Sequence, residues 1–281
     1  MTLDPRPLLD GLLFPEGPRW REGRLWFSDQ HGHEVAAVDL TGRRETMASV
    51  EAQPSGLGWL PDGRLLVVSM MDRKVLRLDG NVLATHADLS GHATFHCNDM
   101  VVDAQGRAYV GNFGWDLFGG GAPTPALLVM VSPDGSVRVV ADELMFPNGS
   151  VITPDGRTLV VAETAGLRLT AFDIAADGSL SNRRVWAQLD VMPDGICLDA
   201  AGCIWLAVPT TPGGFLRVAE GGRVVDRLDL PDHGGFACML GGADGLDLFL
   251  CEAVHVSPSM MQPGNGRIRV ARAPAPHAGW P

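Results

Sequence analysis

Phe146-Pro147-Asn148-Gly149-Ser150-Val151-Ile152-Thr153-Pro154-Asp155-Gly156-Arg157-Thr158-Leu159-Val160-Val161-Ala162-Glu163-Thr164 reads as a loop, a short apolar strand, a Pro-Asp-Gly turn and a second apolar strand. That is a β-hairpin with a polar residue, Asn148, just ahead of its first strand. The phrase recurs along the chain. Pro54-Ser55-Gly56 leads to Pro61-Asp62-Gly63 and an apolar run over 65–69, and Cys97-Asn98-Asp99 to Ala104-Gln105-Gly106 and 108–111. Pro193-Asp194-Gly195 leads to Ala200-Ala201-Gly202 and 203–207, and Pro15-Glu16-Gly17 to Glu22-Gly23-Arg24 and 25–28. A weaker copy joins Phe236-Ala237-Cys238 to Asp244-Gly245 and 246–250. The copies start at 15, 54, 97, 147, 193 and 236, with successive spacings of 39, 43, 50, 46 and 43. A period near 40–50 with two visible strands per unit marks a radial repeat. The expectation is an all-β, six-bladed β-propeller of four-stranded blades around a central channel, one domain spanning 1–281.

The repeat also points at a site. Aligned copies put Glu16, Ser55, Asn98, Asn148, Asp194 and Ala237 in one column, which radial symmetry places on one ring at one end of the channel. Asn and Asp ahead of a hairpin also cap turns, but a pure turn role would keep one residue type, and this column varies. Glu16, Asn148 and Asp194 offer three oxygen ligands with two formal negative charges, a set suited to a hard divalent cation, Ca²⁺ first. The column holds no His or Cys, so a nitrogen- or sulfur-ligated zinc site is not indicated, although such carboxylates also accept Zn²⁺, Mn²⁺ or Fe²⁺. A cation there would polarise a carbonyl and acidify bound water, with Asp194 serving as ligand and as general acid or base.

Composition narrows the classes. A net charge of −11 argues against nucleic acid or an anionic membrane as partner. No apolar run approaches 18 residues and no basic n-region precedes one, so neither a membrane span nor a signal peptide is expected. Five cysteines, odd in number and without Cys-x-x-Cys spacing, fit reduced, buried thiols in a cytoplasm. A closed ring needs no partner, so a monomer acting on a small molecule is the default.

Residues 8–14 are expected to pair near a strand over 266–271, so that the two termini close the last blade and remove an exposed edge. The Pro-rich tail, 274–281, is expected to be loose. The one oversized connection, 112–125, carries Gly119-Gly120-Gly121 among aromatics and reads as a mobile lip over a pocket. His31 and His33 read as solvated turn residues. Ser150 lies in no Gly-x-Ser-x-Gly elbow, which disfavours a serine hydrolase.

Pro15-Glu16-Gly17-Pro18, Asn98-Asp99, Pro147-Asn148-Gly149 and Pro193-Asp194-Gly195 with Asp199 resemble, in order, the motifs of the gluconolactonase/regucalcin family over roughly 10–270. The resemblance implies a propeller with one divalent metal in its channel and hydrolysis of sugar lactones or related esters. It implies Glu16, Asn148 and Asp194 as metal ligands, Asp194 as catalytic acid/base, and Asn98 as a substrate contact. Where many sugar-lactonase members carry Arg two residues before the Asn, this chain has His96, and polyol recognition weakens. Asp116 stands roughly where those members place a substrate-contacting Glu, amid Phe113, Trp115 and Phe118, so Trp115 joins the substrate contacts and the pocket is expected to be more apolar than a gluconolactone site. Asp99 fills a position otherwise Gly in four copies, as a local hydrogen-bonding group or a further substrate contact. The expected activity is metal-dependent opening of a lactone or small ester. A metal-assisted isomerase or lyase, or a non-catalytic Ca²⁺-binding propeller, are the alternatives on the same scaffold.

Overall fold

The computed structural model describes residues 3–281. The Pro-Asp-Gly and related turns fold back two short apolar runs each, and every such hairpin becomes the inner half of a four-stranded antiparallel sheet. Gly156, at φ +70°, sits where a side chain would be strained, and so closes its turn cheaply. Six sheets result. Blade 1 comprises Pro15–Arg21, Arg24–Asp29, Glu34–Val38 and Arg44–Ser49, and blade 2 Pro54–Trp59, Leu65–Ser69, Lys74–Asp79 and Val82–Asp88. Blade 3 comprises Cys97–Val102, Ala108–Asn112, Ala126–Val131 and Val137–Leu144, and blade 4 Pro147–Ile152, Thr158–Glu163, Arg168–Ile174 and Leu180–Gln188. Blade 5 comprises Ile196–Leu198, Ile204–Val208, Gly213–Val218 and Val224–Leu230. Blade 6 takes Gly234–Gly241, Asp247–Ala253 and Gly266–Arg272 from the C-terminal part of the chain and Arg6–Leu12 as its outer strand.

This is the all-β, six-bladed propeller that the repeat predicts. Closure is also as expected: Arg6 pairs with Val270, Leu9 with Ile268 and Leu12 with Gly266, so first and last blades are stitched by both ends of the chain. Each blade is covered on both faces by its neighbours, which is why second strands such as Leu65–Ser69 are apolar without alternation and buried throughout. Outer strands such as Arg44–Ser49 face solvent, with no residue fully buried. The core therefore lies between blades, with Phe27, Tyr109, Trp205, Phe215 and Phe249 fully buried there. Each such side chain contributes about 1.5–3 kcal/mol.

The tail departs from expectation. Residues 274–281 are pinned to the face opposite the ring: Trp280 exchanges both backbone hydrogen bonds with Ile152 at 2.9 Å, Ala278 N donates to Leu198 O, and Ala200 N donates to Pro276 O. These bonds satisfy the outer ends of the blade 4 and blade 5 inner strands, which the sequence pattern alone leaves open. The five cysteines are all buried.

Candidate active site

The ring residues converge because each inner strand is distorted at its start. Pairing slips between Glu16 and Arg19, Pro54 and Leu57, Cys97 and Met100, and Pro147 and Ser150, immediately after or across the ring position. A bulge re-aims the side chain it carries. In blade 5 the regular strand begins only at Ile196, and Asp194 is held by its own N–H to Ala207 O at 2.9 Å. The glycines that follow are a packing requirement. A Cβ on Gly149 would lie 2.6 Å from Ile196 N and 2.8 Å from Asp194 O, so adjacent inner strands meet backbone to backbone.

Glu16, Asn98, Asn148 and Asp194 line one cavity of about 410 Å³ at this end of the channel. They form its polar floor, where Asn98, Asn148 and Asp194 are buried. Asn148 Nδ2 donates to Thr164 Oγ1 at 3.1 Å, Thr164 Oγ1 donates to Pro193 O at 2.7 Å, and Asn148 also hydrogen-bonds Asp194. With its amide hydrogens committed, Asn148 keeps its oxygen free as an acceptor or ligand. Ser55 Oγ lies 3.4 Å from Asn98 Oδ1, a long hydrogen bond within the same ring.

Electrostatically the floor is anomalous. Burial raises the Asp194 carboxyl to about 8, against the opposing hydrogen bond from Asn148 and with added repulsion from Asp99. Burial, then Asp194 and Asp99, push Glu16 well above its ordinary range despite the Gly17 N–H at 3.0 Å. Neither carboxylate has an arginine or lysine beside it on the cavity wall.

The walls come from two further columns. The residue two before the ring position in blades 1 to 5 is Phe14, Gln53, His96, Phe146 or Met192, and each lines the cavity. The residue directly after the second strand in the same blades is Gln30, Met70, Phe113, Thr164 or Pro209, and each lines it too. Phe113 packs on Phe146 at 4.5 Å between centroids, Trp115 meets Phe146 edge-on at 5.5 Å, and Phe14 meets Phe236 at 4.6 Å. His96 stacks on Phe95 at 4.1 Å, and burial lowers its pKa.

The expected residues divide accordingly. His96 and Trp115 are on the wall, as expected of substrate contacts. Asp99 is not on the wall. It is buried beneath the floor, where Arg19 Nη2 donates to its Oδ1 at 2.7 Å and Met100 N at 2.8 Å. A carboxylate in a glycine column has no room toward the axis and is neutralised sideways. Asp116 is exposed and folds onto its own loop, accepting Gly119 N at 2.7 Å, while Leu117 and Phe118 beside it form the rim. His31 is not a solvated turn residue. It lines the cavity edge-on to Phe14 at 5.6 Å, with Gln53 Nε2 3.1 Å from its Nδ1, and burial lowers its pKa.

The donor set fits a hard divalent cation: a buried Asp194 and a half-buried Glu16 with no lysine or arginine beside them on the wall, plus amide oxygens. Among the described residues no group of three or more His, Cys, Asp and Glu side chains is arranged to hold a metal, so a cation here depends on the two amides as well as on Glu16 and Asp194.

Regucalcin of Xenopus laevis is 26% identical over 271 residues, 90% of this chain and 88% of that protein. A 6-deoxy-6-sulfogluconolactonase of Pseudomonas putida is 29% identical, covering 84% of this chain and 81% of its own length. The solved structure of a gluconolactonase from Xanthomonas campestris superposes with a TM-score of 0.76 at 25% identity, over 97% of this chain and 90% of that one. Residues 14–254 match the SMP-30/Gluconolactonase/LRE-like region, and the chain belongs to that family.

Proposed function

We propose that the protein hydrolyses a lactone or small ester, using a divalent cation held by Glu16, Asn148 and Asp194, with Ca²⁺ first among the candidates for an all-oxygen donor set. The observation that carries this reading is the pair of carboxylates, Glu16 and Asp194, at the floor of a largely apolar cavity with no lysine or arginine beside them on its wall. Relatives named as lactonases, including a pentonolactonase of Haloferax volcanii that is 27% identical over 85% of this chain, support it.

When bound, the cation would polarise the acyl carbonyl and acidify an attacking water. The chain's own residues do the rest. Asn98 presents its amide to the carbonyl end of the substrate, and Asn148, its amide hydrogens committed to Thr164 and Asp194, helps to orient the substrate through its oxygen. Asp194 accepts a proton from water as the water oxygen bonds to the acyl carbon. As the ring C–O bond breaks, Asp194 returns that proton to the leaving alkoxide, giving a hydroxy acid. Burial sets its starting pKa near 8, and a neighbouring cation lowers it from there toward the working pH. The apolar walls exclude bulk water from this exchange.

The test is acid release from a panel of lactones with chelator, then with Ca²⁺, Mn²⁺ or Zn²⁺ restored, in solvent enriched in ¹⁸O. Metal-dependent acid release with ¹⁸O in the new carboxylate is the expected result. Stoichiometric metal binding without turnover of any lactone or ester, or product lacking solvent oxygen, would sink the reading.

A further inference from the structure

Above the floor the cavity's polar side chains are mostly bonded within the wall: Gln30 Nε2 to Met70 Sδ at 2.8 Å, Gln53 Nε2 to His31 Nδ1 at 3.1 Å, and Thr164 Oγ1 to Pro193 O at 2.7 Å. Around them, aromatic rings face one another from two sides, Phe113, Trp115 and Phe146 on one and Phe14 and Phe236 on the other. Among the described residues no lysine or arginine lines any part of the cavity. Its two histidines are packed into the wall, His31 edge-on to Phe14 and bonded by Gln53, and His96 stacked on Phe95 at 4.1 Å. The rim continues the same character outward. Of twelve exposed large hydrophobic residues in the described chain, five surround this one mouth: Met71, Leu117, Phe118, Met192 and Val256. Scattered apolar surface residues need no explanation, but a gathering at a pocket entrance marks what the pocket takes in.

We infer that the substrate is an uncharged lactone or ester whose body, beyond the reacting carbonyl, is apolar and of aromatic size. This rests on the hydrolase reading above. Three physical arguments meet here. A polyhydroxylated ring would bury most of its hydroxyls against phenyl and thioether surface, because Gln30, His31, Gln53 and Thr164 are already bonded within the wall, and a buried hydroxyl without a partner is costly. A substrate whose body carries a phosphate, sulfonate or carboxylate would find no guanidinium or ammonium along the walls to pair with, and an unpaired anion buried against rings is costly. An aryl or alkyl body instead finds edge and face contacts ready-made, in a volume of about 410 Å³ that accommodates a fused two-ring compound.

The experiment separates ligand class from reaction. Calorimetry on the metal-restored protein uses hydrolysis-resistant lactams: 3,4-dihydro-2-quinolinone for the aryl class, 2-piperidone for the bare ring, and glucono-δ-lactam for the sugar class. Turnover is measured in parallel on dihydrocoumarin, δ-valerolactone, glucono-δ-lactone and a lactone bearing a carboxylate. The expected result is binding of the aryl lactam about tenfold or more tighter than the sugar lactam, and the same ranking in kcat/KM. Phe118→Ala and Leu117→Ala, both at exposed rim positions where truncation leaves the core intact, are expected to weaken the aryl lactam about threefold or more and leave 2-piperidone unchanged. Tighter binding or faster turnover of the sugar or anionic compound would overturn the inference while leaving the hydrolase intact, and failure of all three lactams to bind would overturn it too. Aryl lactam binding in that ranking with no lactone turned over would uphold the ligand class and remove only the reaction.

Discussion

Glu163 and Asp194 are both buried carboxylates near the channel, and they are treated in opposite ways. Glu163, fully buried at the end of the blade 4 second strand, receives Arg168 Nε at 2.8 Å, Arg168 Nη2 at 2.9 Å, Thr170 Oγ1 at 2.5 Å and Met145 N at 2.8 Å. Burial raises its pKa, but those donors outweigh burial and hold it below the ordinary value. Glu252 repeats the arrangement in blade 6 with Arg267 and Arg269. Asp194 has an amide and no cation, and burial wins. The fold can neutralise buried carboxylates and does so where they hold a blade together. At the ring it withholds the arginines, so the charge there is kept for something that binds.

The contrast breaks most directly at Asp194. Asp194→Asn keeps size and polarity but removes the proton acceptor and one charge, and turnover should fall about 10²–10⁴-fold. The same substitution should raise the melting midpoint of the chelated protein at pH 8 by at least about 3 °C, because it deletes an uncompensated buried charge. Glu163→Gln should do the reverse. It strands two arginines and costs about 2–3 kcal/mol, the lower end for a broken buried pair because Arg168 and Arg183 are each about a third exposed. Thermal melts of the two variants beside kcat of the folded fraction decide the matter: if both destabilise equally, the carboxylates are not of two kinds.

A pH titration sharpens the same comparison. Asp194 has an ordinary pKa of 3.8 and a folded one near 8, so between those values the folded state holds a proton that the unfolded state has released. Stability of the chelated protein should therefore fall as pH rises from about 4 to about 8. A bound divalent cation favours the ionised carboxylate and should flatten or reverse that slope, and Asp194→Asn should flatten it without metal. Melting curves across that range, with chelator and with Ca²⁺, read both effects. An unchanged slope on adding any divalent cation would mean that Glu16 and Asp194 do not share a cation.

The ring was legible because repetition did the work: one aligned column named Glu16, Asn98, Asn148 and Asp194, and symmetry placed them together. The walls were only partly legible. Phe14, Gln53, His96, Phe146 and Met192 also fall in one column, and Gln30, Met70, Phe113, Thr164 and Pro209 in another, but neither column keeps a residue type. A wall needs only bulk, so its positions vary freely and leave no motif. His31 misled because a polar neighbourhood in sequence, Asp29-Gln30-His31, lies at a strand end that radial symmetry turns inward. Of the two readings of Asp99 the structure takes the local one, bonded to Arg19 and Met100 N, because motif adjacency to Asn98 carries no information about which side of a bulge a side chain leaves. The tail misled because proline content argues against regular strands, not against single backbone bridges such as that of Trp280 with Ile152.

The smallest effect expected concerns His96, where the polarity of the wall can be read from stability alone. Burial lowers its pKa, opposed by Asp116 and assisted by Arg73, and its Nδ1 is buried without a hydrogen-bond partner. A protonated ring would carry an unsatisfied N–H⁺ against Phe95 and Phe113, so the neutral ring suits the site. As pH falls below the ordinary 6.5, the unfolded chain takes up its proton before the folded one, and stability is lost. His31 shifts in the same direction, but it is present in both wild type and His96→Gln, as is Asp194, so the difference between the two melts isolates His96. Wild type should exceed the variant at pH 8, where the stacked ring packs better than an amide, and the gap should narrow by about 1 °C toward pH 5. A constant gap would mean that His96 protonates as freely as it does in water. The wall would then be cationic in mild acid, an anionic substrate would find a partner there, and the uncharged class would lose its electrostatic argument.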